Sequence, residues 1–201
     1  NGQTQEGVWK KNVFQYSKKI KLPKIETASS INKKSINSKT KSLPQCYNFN
    51  YKHLCSGTHE FPNGAIYNGE FKNNKFNGFG SLSWNDGAKY VGQFKSDFAN
   101  GKGTMIWANG NKYVGQHKNG KANGKGVYQW PNGDEYIGEH KDDRAHGHGT
   151  MKFNNGNKYI GKHANGKAHG KGTFIYSNGS KYEGQHKDGA AHGKGTMKWK
   201  N

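Results

Sequence analysis

Residues 113–135 read YVGQHKNGKANGKGVYQWPNGDE, and this stretch decides the fold because the chain repeats its pattern six times. In each copy a tyrosine is followed two positions later by a glycine, and then by a Gly-x-Gly pair. The tyrosines recur every 23 residues, at Tyr67, Tyr90, Tyr113, Tyr136, Tyr159 and Tyr182. A period kept over so many copies predicts a repeat array in which each unit packs against its neighbours.

Turn chemistry predicts what one unit is. Each complete copy closes with Asn-Gly or Asp-Gly, as at Asn109-Gly110, a dipeptide that favours a two-residue type I′ turn. The flanking runs 103–107 and 112–116 are rich in Thr, Val, Ile and aromatic residues, as strands are. The other connection, 118–123, looks longer and is also turn-prone. The unit is therefore a β-hairpin, and the array an antiparallel meander of about thirteen strands, on the order of 60 Å along the sheet.

Strand alternation assigns the two faces of this sheet. Tyr113, Gly115 and His117 share one face, which is rich in glycine and aromatic residues. Glycine weakens a strand, so we expect a ring from a neighbouring strand to lie over the space that the missing Cβ leaves. The rings then form the core, and this is compatible with a row of partly exposed rings that makes a partner-binding groove. The groove residues are Tyr90, Trp107, Tyr113, Trp130, Tyr136, Tyr159 and Tyr182.

These motifs resemble the MORN repeat (membrane occupation and recognition nexus), and the resemblance covers residues 67–201. It implies an all-β fold: an elongated, twisted, single-layer antiparallel meander of hairpins that acts as a scaffold. One position departs from the family pattern. Two residues after the first glycine, where such repeats commonly have an aromatic residue, the chain has Phe71 and Phe94 and then His117, His140, His163 and His186.

The chain divides into three parts. Residues 1–43 form a basic, low-complexity, irregular extension, and 44–66 form a degenerate half-repeat that caps the array, in which Cys55 replaces the first glycine of Gly-x-Gly. The six repeats follow at 67–89, 90–112, 113–135, 136–158, 159–181 and, incomplete, 182–201. Because the chain starts with Asn1 and stops before an expected turn glycine, we expect the full protein to continue at both ends.

Composition limits the class of protein. Only 30% of the residues are hydrophobic, which suits a thin repeat sheet better than a globular domain with a central core. No apolar run is long enough to span a membrane and no signal peptide is present, so a cytoplasmic location is the default. The two cysteines, Cys46 and Cys55, are too few for a disulfide framework and are expected to be thiols. The net charge of +19 predicts a salt-sensitive attraction to acidic partners.

The N-terminal extension is the first candidate contact region. It has ten lysines and two glutamates, with scattered apolar residues that cannot form a core. We expect it to become ordered on a partner, or alternatively along the chain's own sheet. Its contact residues are Trp9, Lys10, Lys11, Phe14, Lys18, Lys19 and Lys21.

Lysines in the repeats form a second candidate. A basic stripe recurs at Lys95, Lys118, Lys141 and Lys187, and a parallel column at Lys102, Lys125, Lys171 and Lys194. One interpretation is a solvated face that keeps sheets apart. The other is a surface that matches an acidic partner at a spacing of roughly 10 Å.

Catalytic and cofactor motifs are not supported by the sequence. The stretch 115–122 comes close to a P-loop, but Ala122 replaces the required Ser or Thr and a strand follows instead of a helix. Cys46, His53, Cys55 and His59 fit no common zinc spacing. The sequence therefore predicts no enzyme, cofactor, metal or small-molecule substrate. The histidines are expected to pack or to hydrogen-bond; a partner contact that changes near pH 6 is a minor hypothesis.

The resemblance implies two kinds of function. Arrays of this kind occur in radial-spoke-head and other axonemal proteins, which implies a structural scaffold of a cytoskeletal assembly, in a cilium, with acidic protein partners. They also occur in plant phosphatidylinositol-phosphate kinases and in junctophilins, which implies an anionic-lipid binding module or the regulatory region of a larger enzyme. Nucleic acid is the weakest candidate partner, because the aromatic residues alternate with glycine as core and no recognised module is present.

Overall fold

The protein is all-β in the part of the chain that the structure, a computed structural model, describes: residues 4–10, 13–20, 43–46 and 53–200. The chain separates into two compact units, 1–42 and 43–201. The strands are β1 (Thr4–Lys10), β2 (Val13–Ile20), β3 (Cys55–Glu60), β4 (Ile66–Lys72), β5 (Lys75–Ser83), β6 (Lys89–Lys95), β7 (Phe98–Ile106), β8 (Lys112–Lys118), β9 (Lys121–Gln129), β10 (Glu135–Lys141), β11 (Arg144–Lys152), β12 (Lys158–Ala164), β13 (Lys167–Ile175), β14 (Lys181–Lys187) and β15 (Ala190–Lys198).

In the first unit, β1 and β2 pair as an antiparallel hairpin in which Trp9 is the backbone partner of Phe14. This part of the extension is therefore regular, where the sequence predicted an irregular arm. The reason is local: two runs that contain Val and aromatic residues are separated by two residues, the spacing that a tight hairpin needs.

The second unit is one open sheet of thirteen strands, β3 to β15, in strict sequence order. Every neighbouring pair is antiparallel, which confirms the predicted meander and its strand number. Paired glycines mark the centre of each hairpin, as Gly115 faces Gly126. Each unit thus pairs only with its sequence neighbours, as a repeat array does.

The two connections of each unit are the reverse of the prediction. The tight type I′ turns follow the first strand, where both central residues have positive φ, as at Asn119 (50°) and Gly120 (82°). At the Asn109-Gly110 connection only the glycine has positive φ (83°), and Gly110 N–H donates to Trp107 O over 2.9 Å. That connection is a three-residue loop that ends in a left-handed glycine. The prediction of a type I′ turn there is wrong, because the glycine is needed for the loop's last residue.

The tight turns also join successive units. From the second unit onward, the second residue of each turn donates its N–H to a carbonyl in the unit before, for example Gly120 to Ala99 over 2.9 Å and Asp143 to Ala122 over 3.0 Å. Asp143 and Ala122 form a second hydrogen bond, in which Oδ1 of Asp143 accepts the Ala122 N–H over 2.7 Å. These bonds add to the strand ladder between successive hairpins, and so they help to fix each unit against the previous one.

The cap at the start of the sheet contains a disulfide between Cys46 and Cys55, whose Cα atoms are 5.1 Å apart. The prediction of two thiols is wrong. Ser56 N–H donates to Pro44 O over 2.8 Å and Cys46 N–H donates to Ser56 O over 2.9 Å, and this pairing brings the two cysteines within disulfide distance. Because the sulfurs are bonded to each other, they are not the thiolate ligands of the zinc arrangement that the sequence raised.

Replacing Lys162 with glutamine is expected to stabilise the fifth unit by about 1 kcal/mol, the typical net value of one hydrogen bond. At the equivalent position, Gln116 Oε1 accepts the Lys125 N–H over 3.0 Å and Gln93 Oε1 accepts the Lys102 N–H over 2.8 Å. A lysine has no acceptor for this bond. Urea unfolding measures the gain, and Lys162→Met, which removes the charge without adding an acceptor, should show none of it.

Candidate functional site

The core of the array is a tyrosine that covers two glycines. A Cβ added at Gly126 would lie 2.5 Å from Cζ of Tyr113, and one at Gly115 would lie 2.5 Å from its hydroxyl oxygen. Tyr113 has no exposed surface, and Tyr67, Tyr90, Tyr136 and Tyr159 are at most 2% exposed. The expectation that a ring lies over the glycines is confirmed, and the ring comes from the neighbouring strand for Gly126 and from the same strand for Gly115.

A bulge explains why the tyrosine hydroxyl can be buried. Gly115 faces Gly126 but His117 faces Ala122, so β9 has two extra residues opposite Gln116. The carbonyl of Gln116 accepts the Tyr113 hydroxyl proton over 2.9 Å. The same bond forms in all six units, over 2.8–3.2 Å. Burial raises the pKa of Tyr113, which keeps the phenol protonated as the donor.

The tyrosines and the residues two places after the first glycine form one continuous row of rings, called here the ring ladder. In order along the sheet it contains Phe71, Tyr67, Phe94, Tyr90, His117, Tyr113, His140, Tyr136, His163, Tyr159, His186 and Tyr182. Consecutive rings meet edge to face with centroids 4.7–5.2 Å apart. Such aromatic pairs contribute about 0.5–1.5 kcal/mol each beyond their buried area.

The ladder histidines are buried and replace aromatic rings. His117, His140, His163 and His186 are 5–6% exposed. Burial lowers the pKa of His140 to about 4 and lowers the pKa of the other three. Nδ1 of His140 lies 3.2 Å from the Gly138 carbonyl oxygen, which suits a neutral ring that donates there. These histidines are therefore packing residues, and a direct partner contact through them is excluded by their burial.

Burial also divides the predicted groove residues. Tyr90, Tyr113, Tyr136 and Tyr159 are core residues that no partner can contact, because the strands and neighbouring rings enclose them; this part of the prediction is wrong. Tyr182 is half-buried at the last unit. Trp107 and Trp130 are also half-buried, and they lie beside the ring ladder on the same face. They remain candidates for partner contact.

Those two tryptophans belong to a longer surface, called here the aromatic strip. It consists of two parallel rows on the face of the ring ladder: Leu82, Met105, Tyr128, Met151 and Phe174, and Trp84, Trp107, Trp130, Phe153 and Tyr176. Nine members are half-buried and Tyr176 is 38% exposed. Rings touch along it, with Tyr128 4.5 Å from Trp130 and 5.4 Å from Trp107. Of this strip, the sequence pattern pointed only to Trp107 and Trp130, although the other members share the parity of the Gly-x-Gly glycines, which was a usable signal.

The opposite side of the sheet, called here the lysine face, is also open. Its central row is β-branched, with Val91, Thr104, Val114, Val127, Ile137, Thr150, Ile160 and Thr173 as cross-strand neighbours. The predicted stripe residues Lys95, Lys118, Lys141 and Lys187 are all exposed on this face. Four exposed large apolar side chains within strands also point to it: Ile66, Phe79, Phe98 and Ile160, 41–55% exposed.

The contact residues of the N-terminal extension can be placed only in part. Trp9 and Lys10 lie in β1, and Phe14, Lys18 and Lys19 lie in β2. Lys11 and Lys21 lie outside the described residues.

No group of three or more His, Cys, Asp or Glu side chains within the described ranges is arranged to hold a metal ion. Among the same residues, no helix is long and apolar enough to cross a membrane.

Comparison with known proteins identifies the repeat. The family model of the MORN repeat matches six consecutive segments, 67–89, 90–112, 113–135, 136–158, 159–181 and 182–201. No curated protein matches the chain significantly. Among solved structures, the chain is similar to the TCP domain of SAS-4 (dCPAP) from Drosophila melanogaster, in complex with a proline-rich motif of Ana2 (dSTIL). That similarity has 12% sequence identity and a TM-score of 0.44, and it covers 90% of this chain and 97% of the other.

Proposed function

The chain belongs to the MORN-repeat family, and from this premise we propose that it is a non-catalytic scaffold that binds partner proteins in a multiprotein cytoskeletal assembly. Repeat sheets of this kind expose surface in proportion to their length, which suits the binding of extended partners. The proposal places the protein in the cytoplasm, at the cytoskeleton, and specifically in the axoneme of a cilium, in a radial spoke or a related complex.

The aromatic strip is the observation that carries this proposal. Half-buried rings and thioethers such as Trp107, Tyr128 and Met151 stand in a continuous row rather than singly. Contiguous apolar patches of this kind mark interaction surfaces, and Trp, Tyr and Met are enriched in protein interfaces. The strip lies beside the buried ring ladder, and Leu82, Trp84 and Met105 pack against the cluster that contains its first rings, so a partner pays little entropy to order them.

The charge of the chain supports the further proposal that its partners are acidic. The chain has a net charge of +19, and its stripe lysines are exposed on the lysine face. We propose that Trp9, Phe14 and the lysines of the N-terminal extension add a further contact to such partners. The attraction would then weaken as salt rises.

The test is affinity purification of the tagged full-length protein from ciliated cells at low and moderate salt, with partners identified by mass spectrometry. The variant Trp107→Ser/Trp130→Ser should lose partners that survive moderate salt. The matched control Ile66→Ser/Phe79→Ser removes two exposed apolar side chains from the lysine face, 41% and 43% exposed, and should keep them. Equal losses in both variants, or no axonemal or other cytoskeletal partner with the wild type, would contradict the proposal.

A second candidate function is an anionic-lipid binding module, either alone or as the regulatory region of a larger enzyme such as a phosphatidylinositol-phosphate kinase. The exposed lysines favour it, at roughly 1 kcal/mol for each lysine near an anionic surface. Flotation of the protein with neutral vesicles and with vesicles that contain phosphoinositide distinguishes this lipid-binding function from the scaffold function. Salt-sensitive flotation only with the anionic vesicles, together with loss of all protein partners at moderate salt, would favour the lipid function.

A further inference from the structure

The lysine face has a row of basic side chains beside the tight turns, called here the lysine lane: Lys95, Lys102, Lys118, Lys121, Lys125 and Lys141. All six are exposed. The ion pairs formed among the described residues are Lys152–Glu135 and Lys198–Glu183, and neither uses a lysine of the lane. The lane therefore presents ammonium groups that no carboxylate of the described chain neutralises by a direct pair.

Two consecutive grooves run along this lane. The first lies between the second and third units and is lined by Lys95, Phe98, Asn100, Lys102, Lys118 and Asn123, among others. No acidic residue lines it. Asn100 and Asn123, which line it, are half-buried, and their amides can donate hydrogen bonds.

The second groove repeats the arrangement one unit later. It is lined by Lys118, Lys121, Asn123 and Lys141, so it shares Lys118 and Asn123 with the first groove. Glu139 and Asp142 also line it, and they make this end of the lane less positive than the first groove. The grooves are thus continuous, with the strongest positive charge between the second and third units.

The period of the lane selects the conformation of its ligand. Equivalent lysines such as Lys95, Lys118 and Lys141 are two strands apart, about 9.6 Å at the usual strand spacing. A polyproline II segment advances about 9.3 Å in each turn of three residues. Carboxylates at every third residue of such a segment would therefore meet equivalent lysines in successive units, and a segment without internal hydrogen bonds can follow a sheet that twists.

A membrane surface fits the lane less well. The tight turns beside it contain acidic residues, Asp97, Asp142 and Asp143, and Asp142 also lines the second groove. A flat anionic bilayer at this edge would face the acidic turns together with the lysines, whereas a single extended chain can lie in the first groove, which no acidic residue lines. Phe98, 55% exposed beside Lys95, adds an apolar contact for the backbone of such a chain.

We propose that the lysine lane binds an extended acidic segment of a partner protein, in polyproline II conformation, with carboxylates at every third residue. This deepens the proposed function by naming the acidic ligand of the basic stripe. The lysine lane lies on the face opposite the aromatic strip, so this proposal and the proposed binding of partners to the strip can fail separately. Occupation of both faces would let one chain join two partners.

The test uses two labelled peptides of about 18 residues, roughly the length that spans six units. One consists of Glu-Pro-Ala triplets, and the other has the same composition with its glutamates in one block. Fluorescence anisotropy at about 0.15 M salt should show the periodic peptide binding at least tenfold more tightly. Equal affinities would overturn the proposal, because they would show charge attraction without spacing.

Variants locate the site. Lys95→Glu/Lys118→Glu should weaken the periodic peptide at least tenfold. The control Lys112→Glu/Lys158→Glu makes the same charge change on the same face but at the other edge of the sheet, and should weaken it by less than threefold. Equal losses of affinity in the two variants would overturn the proposal. It would also be overturned if neither peptide binds and the protein instead floats with phosphoinositide vesicles in a way that Lys95→Glu/Lys118→Glu abolishes. Trp107→Ser/Trp130→Ser should bind the peptide normally, which separates this result from the test of the aromatic strip.

Discussion

Replacing Gly126 with alanine is expected to destabilise the array by about 3 kcal/mol or more, at the upper end of the cost of overpacking a core. The new Cβ would lie 2.5 Å from Cζ of Tyr113, against about 3.5–4.0 Å for carbon atoms in contact. The ring cannot move away. It is fully buried, its hydroxyl is bonded to Gln116 O, and His117 and His140 enclose it at 5.0 and 4.8 Å.

The matched control is Gly166→Ala. Gly166 has a φ of +84° and no atom within 4 Å of an added Cβ, so alanine there introduces backbone strain without a clash. That strain costs about 1–2 kcal/mol. Urea unfolding followed by circular dichroism compares the two variants, and hydrogen exchange in residues 113–135 shows whether the loss is centred on the third unit. A Gly126→Ala variant no less stable than Gly166→Ala would show that the covered glycine is dispensable.

Acidification from pH 7.5 to pH 5 is expected to destabilise the array through its buried histidines. Burial lowers the pKa of His140 from its ordinary value of 6.5 to about 4. Between these values the unfolded chain binds the proton and the folded chain does not, so stability falls as pH falls, and the loss is complete below about pH 4. At pH 5 His140 alone should account for about 2 kcal/mol. His117, His163 and His186 act in the same direction.

The sequence of the chain suggests which residue can replace the buried histidines in a test of this pH dependence. Phe94 occupies the ladder position of the histidines, faces Ala99 as His117 faces Ala122, and is 4% exposed. The variant with His117, His140, His163 and His186 all changed to phenylalanine should fold and lose most of the decrease in melting temperature between pH 7.5 and pH 5. His169→Gln, at an exposed histidine, should leave that decrease unchanged. An unaltered pH dependence in the fourfold variant would assign it to other groups.

If both results are obtained, the ring ladder stabilises the fold, while the aromatic strip on the same face and the lysine lane on the opposite face are the surfaces proposed to bind partners. A change in the ladder would then alter every function through stability. A change in the aromatic strip or the lysine lane would alter one class of partner and leave the fold intact. Comparing the two kinds of variant therefore separates folding defects from binding defects.

The sequence by itself determined the period, the meander and the strand number, because each depends on local patterns. The recurrence of Tyr113 and its equivalents gave the unit length, and alternation along one strand placed Tyr113, Gly115 and His117 on one face. Steric covering of glycine by a ring was also predictable, since bare glycines in a strand need a neighbour. The family pattern pointed to the same architecture.

Only the tertiary structure decided the rest, because register and burial are relations between strands. The bulge opposite Gln116 moved the tight turn to Asn119-Gly120 and gave the tyrosine hydroxyl its acceptor. Pairing of 43–46 with β3 joined Cys46 to Cys55. In the sequence, the tyrosines and tryptophans fall on the same face of the sheet and cannot be told apart by their positions. In the structure, the tyrosines are enclosed by the strands and the neighbouring rings, whereas the tryptophans lie beside the ring ladder in contact with solvent. That difference in depth, which no local pattern contains, separates the core from the surface that a partner can bind.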